Sequence, residues 1–386
     1  MKRICVLTAT RAEYGLLSPL IKKLRMQPEF DTRVVVTGMH LSPEFGLTYK
    51  EIEDDGVEID RKIDMLLSSD TPSAVSKSMG VALMGFADYF AETIPDALIV
   101  LGDRYETLAV CIAAMNDRIP IFHIHGGEIT EGAIDDGIRH CITKLSYLHF
   151  TSTEEYRKRV IQLGEEPDRV FNVGAIGVEN ALSIEKLSKE ELEKSIGWEL
   201  GENYAVLTFH PVTLEKQDPE EQIKELLYAL DEFPQIKILA TKANADAGGH
   251  RINEMLSRYS KTHENLKLFD SLGMKKYLSA VQHSKFVIGN SSSGIIEAPA
   301  LGVPAVDIGN RQKGRISGKS IVHCSVDYKE IKKAVNEVLD VVFLESIEQE
   351  NNPYGDGCTS NKILEIIKEE LSTEISSLKK RFFDVI

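Results

Sequence analysis

The sequence repeats one pattern: a run of about four to eight mostly apolar residues, a polar turn, and a stretch with helical periodicity. The runs are continuous rather than alternating, so both faces of the corresponding strands must be buried, as in a parallel sheet. Helical stretches such as YGLLSPLIKKLRMQ and ETLAVCIAAMNDR separate several of them. This order predicts a doubly wound α/β sheet. The runs of the first half are RICVLTAT, TRVVVTG, DALIVLGD, PIFHIHGG, YLHFTST and VFNVGAIG.

The pattern then starts again, with a polar and partly helical stretch between the two sets. A chain of 386 residues is too long for one ordinary core, so we expect two domains. We predict an N-terminal Rossmann-like domain over 1–174, a second over 175–365 and a terminal helix over 366–386. We expect the two Rossmann-like domains to face a central cleft that the strand ends of both would line. The runs of the second half are YAVLTFHP, IKILATKAN, LKLFDSL, KFVIGNSSSG, PAVDIGN and SIVHC.

Composition excludes several classes of protein. A net charge of −15 argues against a nucleic-acid surface, which needs a basic footprint. No apolar stretch approaches the roughly 20 residues of a membrane helix, so we expect no membrane partner and a cytoplasmic location. The five cysteines are scattered singly and form no CxxC pair, so they indicate neither a disulfide framework nor a zinc knuckle.

Polar residues follow the runs, where ligands bind in open parallel sheets. In the first half, Arg11 follows the first run, Asp103 and Arg104 lie in GDRYE, and the fourth run leads into HIHGGE at 123–128. The second half has HPVT at 210–213, NADAGG at 244–249, GNSSSG at 289–294 and GNRQKGR at 309–315.

The stretch GNSSSGIIEAPALG predicts an anion site. A strand ends, a Gly/Ser loop exposes backbone N–H groups, and a helix begins. Ser291 and Ser292 can add hydroxyl donors, while Glu297 would repel phosphate but can accept from ribose hydroxyls. The alternative is plain helix capping by Ser293.

Capping is the simpler explanation of this loop taken alone, but the stretch GNRQKGR after the next strand weakens it. This stretch supplies Arg311, Lys313 and Arg315, and arginine forks suit diphosphate oxygens. GAIGVEN lacks the full dinucleotide fingerprint, so NAD is not indicated.

HIHGGE permits two interpretations. His123 and His125 are two apart and would point the same way on a strand, as metal ligands do, with Asp103, Asp135 or His210 as a third ligand. Strand histidines are more often core or hydrogen-bonding groups, and no dedicated ligand spacing is present. A core or hydrogen-bonding role is therefore favoured over a metal site, and we assign no metal.

IDDGIRH holds further charged candidates. Asp135 and Arg139 are neighbours four residues apart if the segment is helical. Asp136 fits an exposed salt bridge at a helix start, and His140 has no distinctive spacing. Asp103 and Asp135 lie in two strand-end loops, where paired carboxylates can exchange protons.

Taken together, TATRAEYG, GDRYE, HIHGGE, AIDDGIRHCITKLSYLHFTST, HPVT, NADAG, GNSSSG and GNRQKGR resemble the UDP-N-acetylglucosamine 2-epimerases, in particular the hydrolysing branch that feeds sialic-acid-type sugars. The resemblance runs in order along nearly the whole chain. It implies a glycosyltransferase-B-like fold and conversion of UDP-GlcNAc and water into N-acetylmannosamine and UDP through a glycal. It also implies that no metal or NAD is required, and that the chain forms a homodimer or homotetramer.

Residue roles follow from the resemblance by position. Arg11, His210 and Arg311 would contact the diphosphate, and Ser291, Ser292 and Glu297 would hold phosphate and ribose. Asp103, Asp135 and His125 would transfer protons. The same motifs add Glu128 and Arg139 to the catalytic candidates, and Arg104, Asn244, Asp246 and Asn290 to the nucleotide-binding candidates.

The sequence departs from the family pattern at His125. Sialic-acid members usually read HIEGGE, with a carboxylate at this position, whereas related enzymes of legionaminic-acid synthesis carry a non-carboxylate there. The latter act on a UDP- or GDP-linked 2,4-diacetamido-trideoxyhexose, which is therefore the alternative substrate. A non-hydrolysing epimerase, a glycosyltransferase of the same fold and a nucleotide-sugar sensor are the rival functions.

Overall fold

A computed structural model describes residues 1–67, 69, 71–130, 134–212, 218–243, 248–347, 351–373, 375 and 377–385. The chain forms two compact units. Unit 1 comprises Met1–Glu128, Asp135–Glu179 and Cys358–Ile386, and unit 2 comprises Ile129–Ile134 and Asn180–Gly357. The units thus divide after 179 and after 357, whereas the sequence analysis divided the chain after 174 and 365, and the short segment 129–134 belongs with the second unit.

The strands are β1 Lys2–Thr8, β2 Phe30–Thr37, β3 Ile59–Ile63, β4 Ala97–Leu101, β5 Ile121–Ile124, β6 Leu148–Thr151, β7 Val170–Asn172, β8 Tyr204–Thr208, β9 Lys237–Thr241, β10 Leu266–Phe269, β11 Phe286–Gly289, β12 Ala305–Ile308 and β13 Ile321–Cys324. The α-helices are α1 Arg11–Arg25, α2 Tyr49–Asp54, α3 Pro72–Thr93, α4 Tyr105–Asn116, α5 Asp135–Leu145, α6 Glu154–Gln162, α7 Ile176–Ser183, α8 Lys189–Ile196, α9 Pro219–Asp231, α10 Gly249–Ser260, α11 Gly273–His283, α12 Ser293–Ala300, α13 Tyr328–Val338, α14 Val341–Ile347 and α15 Thr359–Leu371.

Unit 1 contains a parallel sheet in the order β3-β2-β1-β4-β5-β6-β7, with helices on both faces. On one face, α1 and α15 bury apolar side chains such as Leu17 and Ile367 against the strands. On the other face, Phe86 and Phe90 of α3 and Val110 of α4 form a second core. The sheet is therefore covered on both sides, which explains why its central strands are continuously apolar.

Unit 2 contains a second parallel sheet in the order β10-β9-β8-β11-β12-β13. Its core includes Leu226 and Leu230 of α9, Ile252 of α10 and Val335 of α13, packed against residues of the central strands. The expectation of two Rossmann-like α/β domains with parallel sheets is confirmed.

All twelve predicted apolar runs contain a strand, but β3 lies outside them. It is an edge strand with the sequence IDRKI, and none of its residues is fully buried. An edge strand needs no continuous apolar run because one of its sides has no neighbouring strand. The terminal helix also differs from expectation: α15 ends at Leu371, and the described residues after it are not helical.

None of the helices in the described residues is both long enough and apolar enough to cross a lipid bilayer.

Gly289 marks a close approach of two strands in unit 2. It is the last residue of β11, has φ +133°, and pairs beside Thr208 of β8. A Cβ atom added at Gly289 would collide with the backbone of Thr208. This conformation is essentially open only to glycine, so the loop that follows β11 depends on it.

We predict that Gly289→Ala lowers the free energy of unfolding by at least about 1–3 kcal/mol, from backbone strain alone. Urea denaturation followed by circular dichroism measures this change. Gly80→Ala is the matched control, because Gly80 is exposed in α3 and an added Cβ meets no atom within 4 Å. That control should leave stability unchanged or raise it by about 0.5–1 kcal/mol. Equal stability of Gly289→Ala and wild type would contradict the close approach.

Candidate active site

The polar residues of unit 1 gather at one edge of its sheet. Strands β1, β4, β5 and β6 are consecutive neighbours and parallel, so the segments that follow them lie side by side. Arg11 begins α1 directly after β1, Asp103 follows β4, His125 follows β5 and Ser152 follows β6. The helix α5, which begins at Asp135, supplies the remaining charged residues.

Arg139 holds this edge together. Its side chain is 3% exposed and forms a close ion pair with Asp103. It also donates a hydrogen bond to the carbonyl oxygen of Glu128 at 2.7 Å and lies 3.5 Å from a carboxylate oxygen of Asp136. A buried guanidinium needs several acceptors to offset its desolvation. One side chain of α5 thus fixes the loops that follow β4 and β5.

The turn after β5 has an unusual backbone. His125 adopts φ +66°, and its N–H donates to the carbonyl of Phe150 at 2.8 Å. Its Nδ1 lies 3.7 Å from Oε1 of Glu128, and the side chain is 12% exposed. Glu128 is buried and accepts a hydrogen bond from the hydroxyl of Ser152 at 2.8 Å. The imidazole and the carboxylate are therefore adjacent and held in place.

Gly127 in the same turn has φ +80°, and an added Cβ would lie 2.5 Å from the carbonyl oxygen of Tyr156. Gly127 of HIHGGE is thus required for close packing against α6.

His123 has a different role from His125. Its Nε2 lies 2.7 Å from the carbonyl oxygen of Gly102, which only accepts, so Nε2 carries the proton. Its Nδ1 then accepts from the hydroxyl of Thr143 at 3.3 Å. Burial lowers the pKa of His123 to about 3, so the ring is neutral. It supports the residue that precedes Asp103.

The expectation that His123 and His125 point the same way along a strand is wrong. β5 ends at Ile124, and His125 lies in a left-handed turn where strand alternation does not apply. Both ring nitrogens of His123 have protein partners. Among the residues that the structure describes, no group of three His, Cys, Asp or Glu side chains is arranged to hold a metal ion.

A second charged network lies beside β1 and β4. Arg104 makes hydrogen bonds of 3.0–3.3 Å to the buried carboxylate of Glu106. Glu13 accepts the backbone N–H groups of Ala9 and Thr10 at 2.7 and 2.9 Å. Burial raises the pKa of Glu13 to about 7, with Arg104 opposing and Glu106 adding to the increase. Arg104 is thus engaged inside unit 1, while Arg11 lies 3.9 Å from Glu51 and is 39% exposed.

Asn290 organises the edge of unit 2 where β8 and β11 end. Its side-chain oxygen accepts the N–H of His210 at 2.7 Å, and its side-chain nitrogen donates to the carbonyl of His210 at 2.8 Å. Its own carbonyl accepts from Arg311 Nη1 at 3.1 Å and from Gln312 Nε2 at 2.8 Å. Three predicted nucleotide-binding residues, His210, Asn290 and Arg311, are therefore brought together.

The loop after β11 leads into α12 as expected, but Ser293 is not its cap. Ser292 occupies the N-cap position and makes no capping hydrogen bond through its side chain, and Ser293 is the first helical residue. Ser291 and Ser292 are partly exposed, and Glu297 lies one turn into α12. The hydroxyl of Ser291 instead accepts the N–H of Ser293, the first helical residue, at 3.4 Å. The anion site at this helix start stays a prediction.

Arg315 differs from Arg311. It donates to the carbonyl of Ile129 at 2.9 Å and lies 3.5 Å from the hydroxyl of Thr130, both in the short segment of unit 2 that follows β5. It therefore anchors that segment, whereas Arg311 contacts the loop that follows β11.

Two predicted residues, Asn244 and Asp246, lie outside the described residues, as does Thr213 of HPVT. His140 lies 3.6 Å from Asp136, and burial lowers its pKa. The sequence analysis missed Ser152 and Gln312. Both occur in strand-end stretches that were already recognised, YLHFTST and GNRQKGR, but no spacing rule singles them out.

The chain was compared with known proteins. A model of the family described as UDP-N-acetylglucosamine 2-epimerase matches residues 22–368. The chain is 41% identical over 385 residues to a Campylobacter jejuni protein named GDP/UDP-N,N'-diacetylbacillosamine 2-epimerase (hydrolyzing), covering 100% of this chain and 99% of that protein. It is 40% identical over 386 residues to the Escherichia coli polysialic acid biosynthesis protein P7, covering 100% of this chain and 98% of that protein.

The fold is similar to the crystal structure of UDP-GlcNAc 2-epimerase from Neisseria meningitidis bound to UDP-GlcNAc. The TM-score is 0.83 at 17% identity, covering 96% of this chain and 100% of that chain. This likeness confirms the glycosyltransferase-B-like fold.

Proposed function

The chain belongs to the UDP-N-acetylglucosamine 2-epimerase family, and we propose that it is the hydrolysing type of nucleotide-sugar 2-epimerase. It would convert a nucleotide-linked 2-acetamido sugar and water into the free 2-epimer and the nucleoside diphosphate. The observation that carries this proposal is the cluster held by Arg139, in which Asp103 and the His125–Glu128 turn lie at one edge of unit 1. The hydrolysing activity in the name of the 41% identical relative supports it.

The chemistry explains why such groups are needed. The hydrogen on C2 is not acidic, because no carbonyl is attached to that carbon. Departure of the diphosphate from C1 builds positive charge there and makes the C2 proton easier to remove. Loss of both yields a glycal. Water then adds at C1, and a proton returns to the opposite face of C2, which gives the free epimer.

The proposed acid/base groups are Asp103, Asp135 and His125, with Glu128 and Arg139 holding the site. Two protonatable groups on opposite faces of the sugar are sufficient for removal and return of the C2 proton. Arg139 orients the carboxylate of Asp103, and Ser152 orients Glu128, which in turn lies beside His125. Fixed orientation matters because a proton is transferred only over hydrogen-bond distance.

The proposed diphosphate and nucleotide groups are in unit 2. Arg311, Ser291, Ser292 and the N–H groups of the loop after β11 would stabilise the charge on the departing diphosphate. Glu297 would accept from the ribose hydroxyls. Asn290 of this loop makes two hydrogen bonds to the backbone of His210. His210 is therefore included among the proposed diphosphate-binding residues. By the family resemblance, Arg11 and Arg104 of unit 1 are also proposed as nucleotide-binding residues.

Of the two substrates, we favour the nucleotide-linked 2,4-diacetamido-trideoxyhexose over UDP-GlcNAc. The 41% identical relative carries this type of sugar in its name, and His125 stands where sialic-acid enzymes have a carboxylate. An imidazole offers a donor as well as an acceptor, and it is neutral or cationic near pH 7. UDP-GlcNAc is the second candidate, because the 40% identical relative is a polysialic acid biosynthesis protein.

The first test is proton NMR of the enzyme with the UDP-linked diacetamido sugar, and separately with UDP-GlcNAc, in deuterium oxide. We expect UDP and a free 2-epimer with deuterium at C2, at a rate that a chelator does not change. Release of a nucleotide-linked epimer would indicate the non-hydrolysing reaction. Binding without turnover would indicate a glycosyltransferase or a sensor, and retention of the original hydrogen at C2 would exclude the elimination mechanism.

A second prediction separates the roles of the two units. Asp103→Asn and Asp135→Asn should each reduce kcat by roughly 10²-fold or more, the scale of general acid/base removal, with little change in UDP affinity. Arg311→Ala should instead weaken UDP binding about 10- to 100-fold, since a charge-assisted hydrogen bond contributes about 1.5–3 kcal/mol. Calorimetry with UDP and steady-state kinetics measure these effects.

Lys329→Ala is the control for Arg311→Ala, because it removes a cation from the exposed surface of α13 in the same unit. It should leave UDP affinity unchanged. Loss of UDP binding in Asp103→Asn would show that the assignment of roles is wrong.

A third prediction concerns His125. His125→Glu should shift the ratio of kcat/KM toward UDP-GlcNAc by about tenfold or more, because a buried polar group left unpaired costs about 1–3 kcal/mol. His125→Asn is the matched variant, since asparagine tolerates the left-handed backbone and stays neutral. The ratio of kcat/KM for UDP-GlcNAc to kcat/KM for the UDP- and GDP-linked diacetamido sugars is measured in each protein. If it is the same in wild type and His125→Glu, then His125 does not determine the sugar preference.

A further inference from the structure

Unit 2 contains a serine, a histidine and an aspartate in a hydrogen-bonded chain that the proposed epimerase reaction does not use. Asp307 of β12 and His323 of β13 are direct partners in the parallel register. Nδ1 of His323 lies 2.8 Å from Oδ2 of Asp307, and Nε2 lies 2.9 Å from the hydroxyl oxygen of Ser317. Ser317 is in the connection between the two strands.

The partners determine where the protons are. Asp307 is 4% exposed, and an ionised carboxylate only accepts, so Nδ1 of His323 carries a proton. In the neutral ring Nε2 is then an acceptor, and the Ser317 hydroxyl donates to it. This is the arrangement in which a histidine can remove the serine proton while the buried aspartate stabilises the resulting imidazolium.

A similar cluster in the same unit shows what distinguishes this one. His263 lies 3.3 Å from Asp231, and its Nδ1 lies 2.9 Å from the hydroxyl of Thr262. However, Nδ1 of His263 also lies 3.1 Å from the carbonyl oxygen of Tyr259. A carbonyl accepts only, so that nitrogen carries the proton and cannot act as a base toward Thr262. At His323 no carbonyl competes in the contacts that the structure describes.

The serine end of this hydrogen-bonded chain of side chains is exposed to solvent. Ser317 and His323 are both exposed, whereas Asp307 is buried. Within the described part of the chain, the backbone N–H groups of Ser317 and Gly318 make no hydrogen bond. In serine hydrolases, N–H groups of the nucleophile or of the residue after it stabilise the oxyanion. An exposed serine hydroxyl, a histidine base and a buried carboxylate are thus present together.

We propose that Ser317, His323 and Asp307 form a nucleophilic site that reacts with small acyl esters such as acetyl esters. The Ser317 oxygen attacks the ester carbonyl, and Nε2 of His323 takes the hydroxyl proton. The C–O bond to the alcohol then breaks, and His323 returns the proton to the departing alkoxide. Water hydrolyses the acyl-serine by the same route and releases the carboxylic acid.

This site does not rely on the epimerase assignment. Its residues are absent from the proposed sugar and nucleotide groups, and its reaction needs no nucleotide. Substitutions of Ser317 should therefore leave nucleotide-sugar turnover unchanged, which also provides a check that each variant is folded.

The experiment uses the full-length protein with p-nitrophenyl acetate. We expect release of p-nitrophenolate, and peptide mass spectrometry after acid quenching should find one acetyl group on Ser317. Ser317→Ala should abolish this adduct, and His323→Gln should slow its formation roughly 10²-fold or more, the scale of general-base removal. The wild-type rate should rise with pH to a plateau, and His323→Gln should lack that plateau.

Ser325→Ala is the matched control. Ser325 is exposed in the same unit, and in the described structure its hydroxyl makes no hydrogen bond to a histidine. This variant should be acetylated at Ser317 as fast as wild type. Two results would overturn the proposal: acetylation of surface lysines with none on Ser317, or equal rates in wild type and His323→Gln. The hydrogen bonds would then serve only to connect β13 with the preceding loop.

Discussion

Parallel pairing of fully buried strands is the constraint on which both units depend. Every residue of β4 and of β8 is buried, so these strands have no side on which a polar group can reach water. Polar side chains are therefore displaced to the strand ends. Because the strands of each sheet run in the same direction, their carboxyl ends collect along one edge. Burial of the parallel strands thus brings together polar residues that are far apart in sequence.

A polar edge made of loops must still be held in one arrangement, and each unit achieves this with one buried side chain. In unit 1 the guanidinium of Arg139 contacts Asp103 and the backbone of Glu128. In unit 2 the amide of Asn290 exchanges two hydrogen bonds with the backbone of His210. Each of these groups is almost fully buried, so losing a partner would leave a polar group unsatisfied. These hydrogen bonds therefore hold the loops in fixed positions at the ends of the strands.

The sequence was most informative where one physical effect dominated. Twelve apolar runs predicted twelve strands because burial on both faces demands continuous apolar residues. The sequence did not predict β3, because an edge strand does not need a continuous apolar run. It also predicted a helix beyond Leu371, where the composition is helical but the described residues are not. The strand-end stretches were recognised, but their internal contacts were not. The link from Ser152 to Glu128 and the convergence of Gln312 and Arg311 on Asn290 depend on three-dimensional register, which residue spacing does not encode. The alternation of side chains along a strand predicted that His123 and His125 point the same way. The strand β5 ends at Ile124, one residue before His125, so the rule does not apply there.

The backbone of His125 would suit glycine better than histidine. A residue with a Cβ in the left-handed region is strained by roughly 1–2 kcal/mol, whereas glycine is not. The hydrogen bond from its N–H to Phe150 involves only the backbone, and glycine could make it equally well. That backbone contact therefore does not require histidine at this position. What the side chain adds is a donor and acceptor 3.7 Å from Glu128, at the end of β5 and partly exposed. Under the function proposed above, a change at position 125 would alter which sugar the site accepts. The contacts of Arg139 with Asp103 and with the carbonyl of Glu128 do not involve the imidazole and would remain.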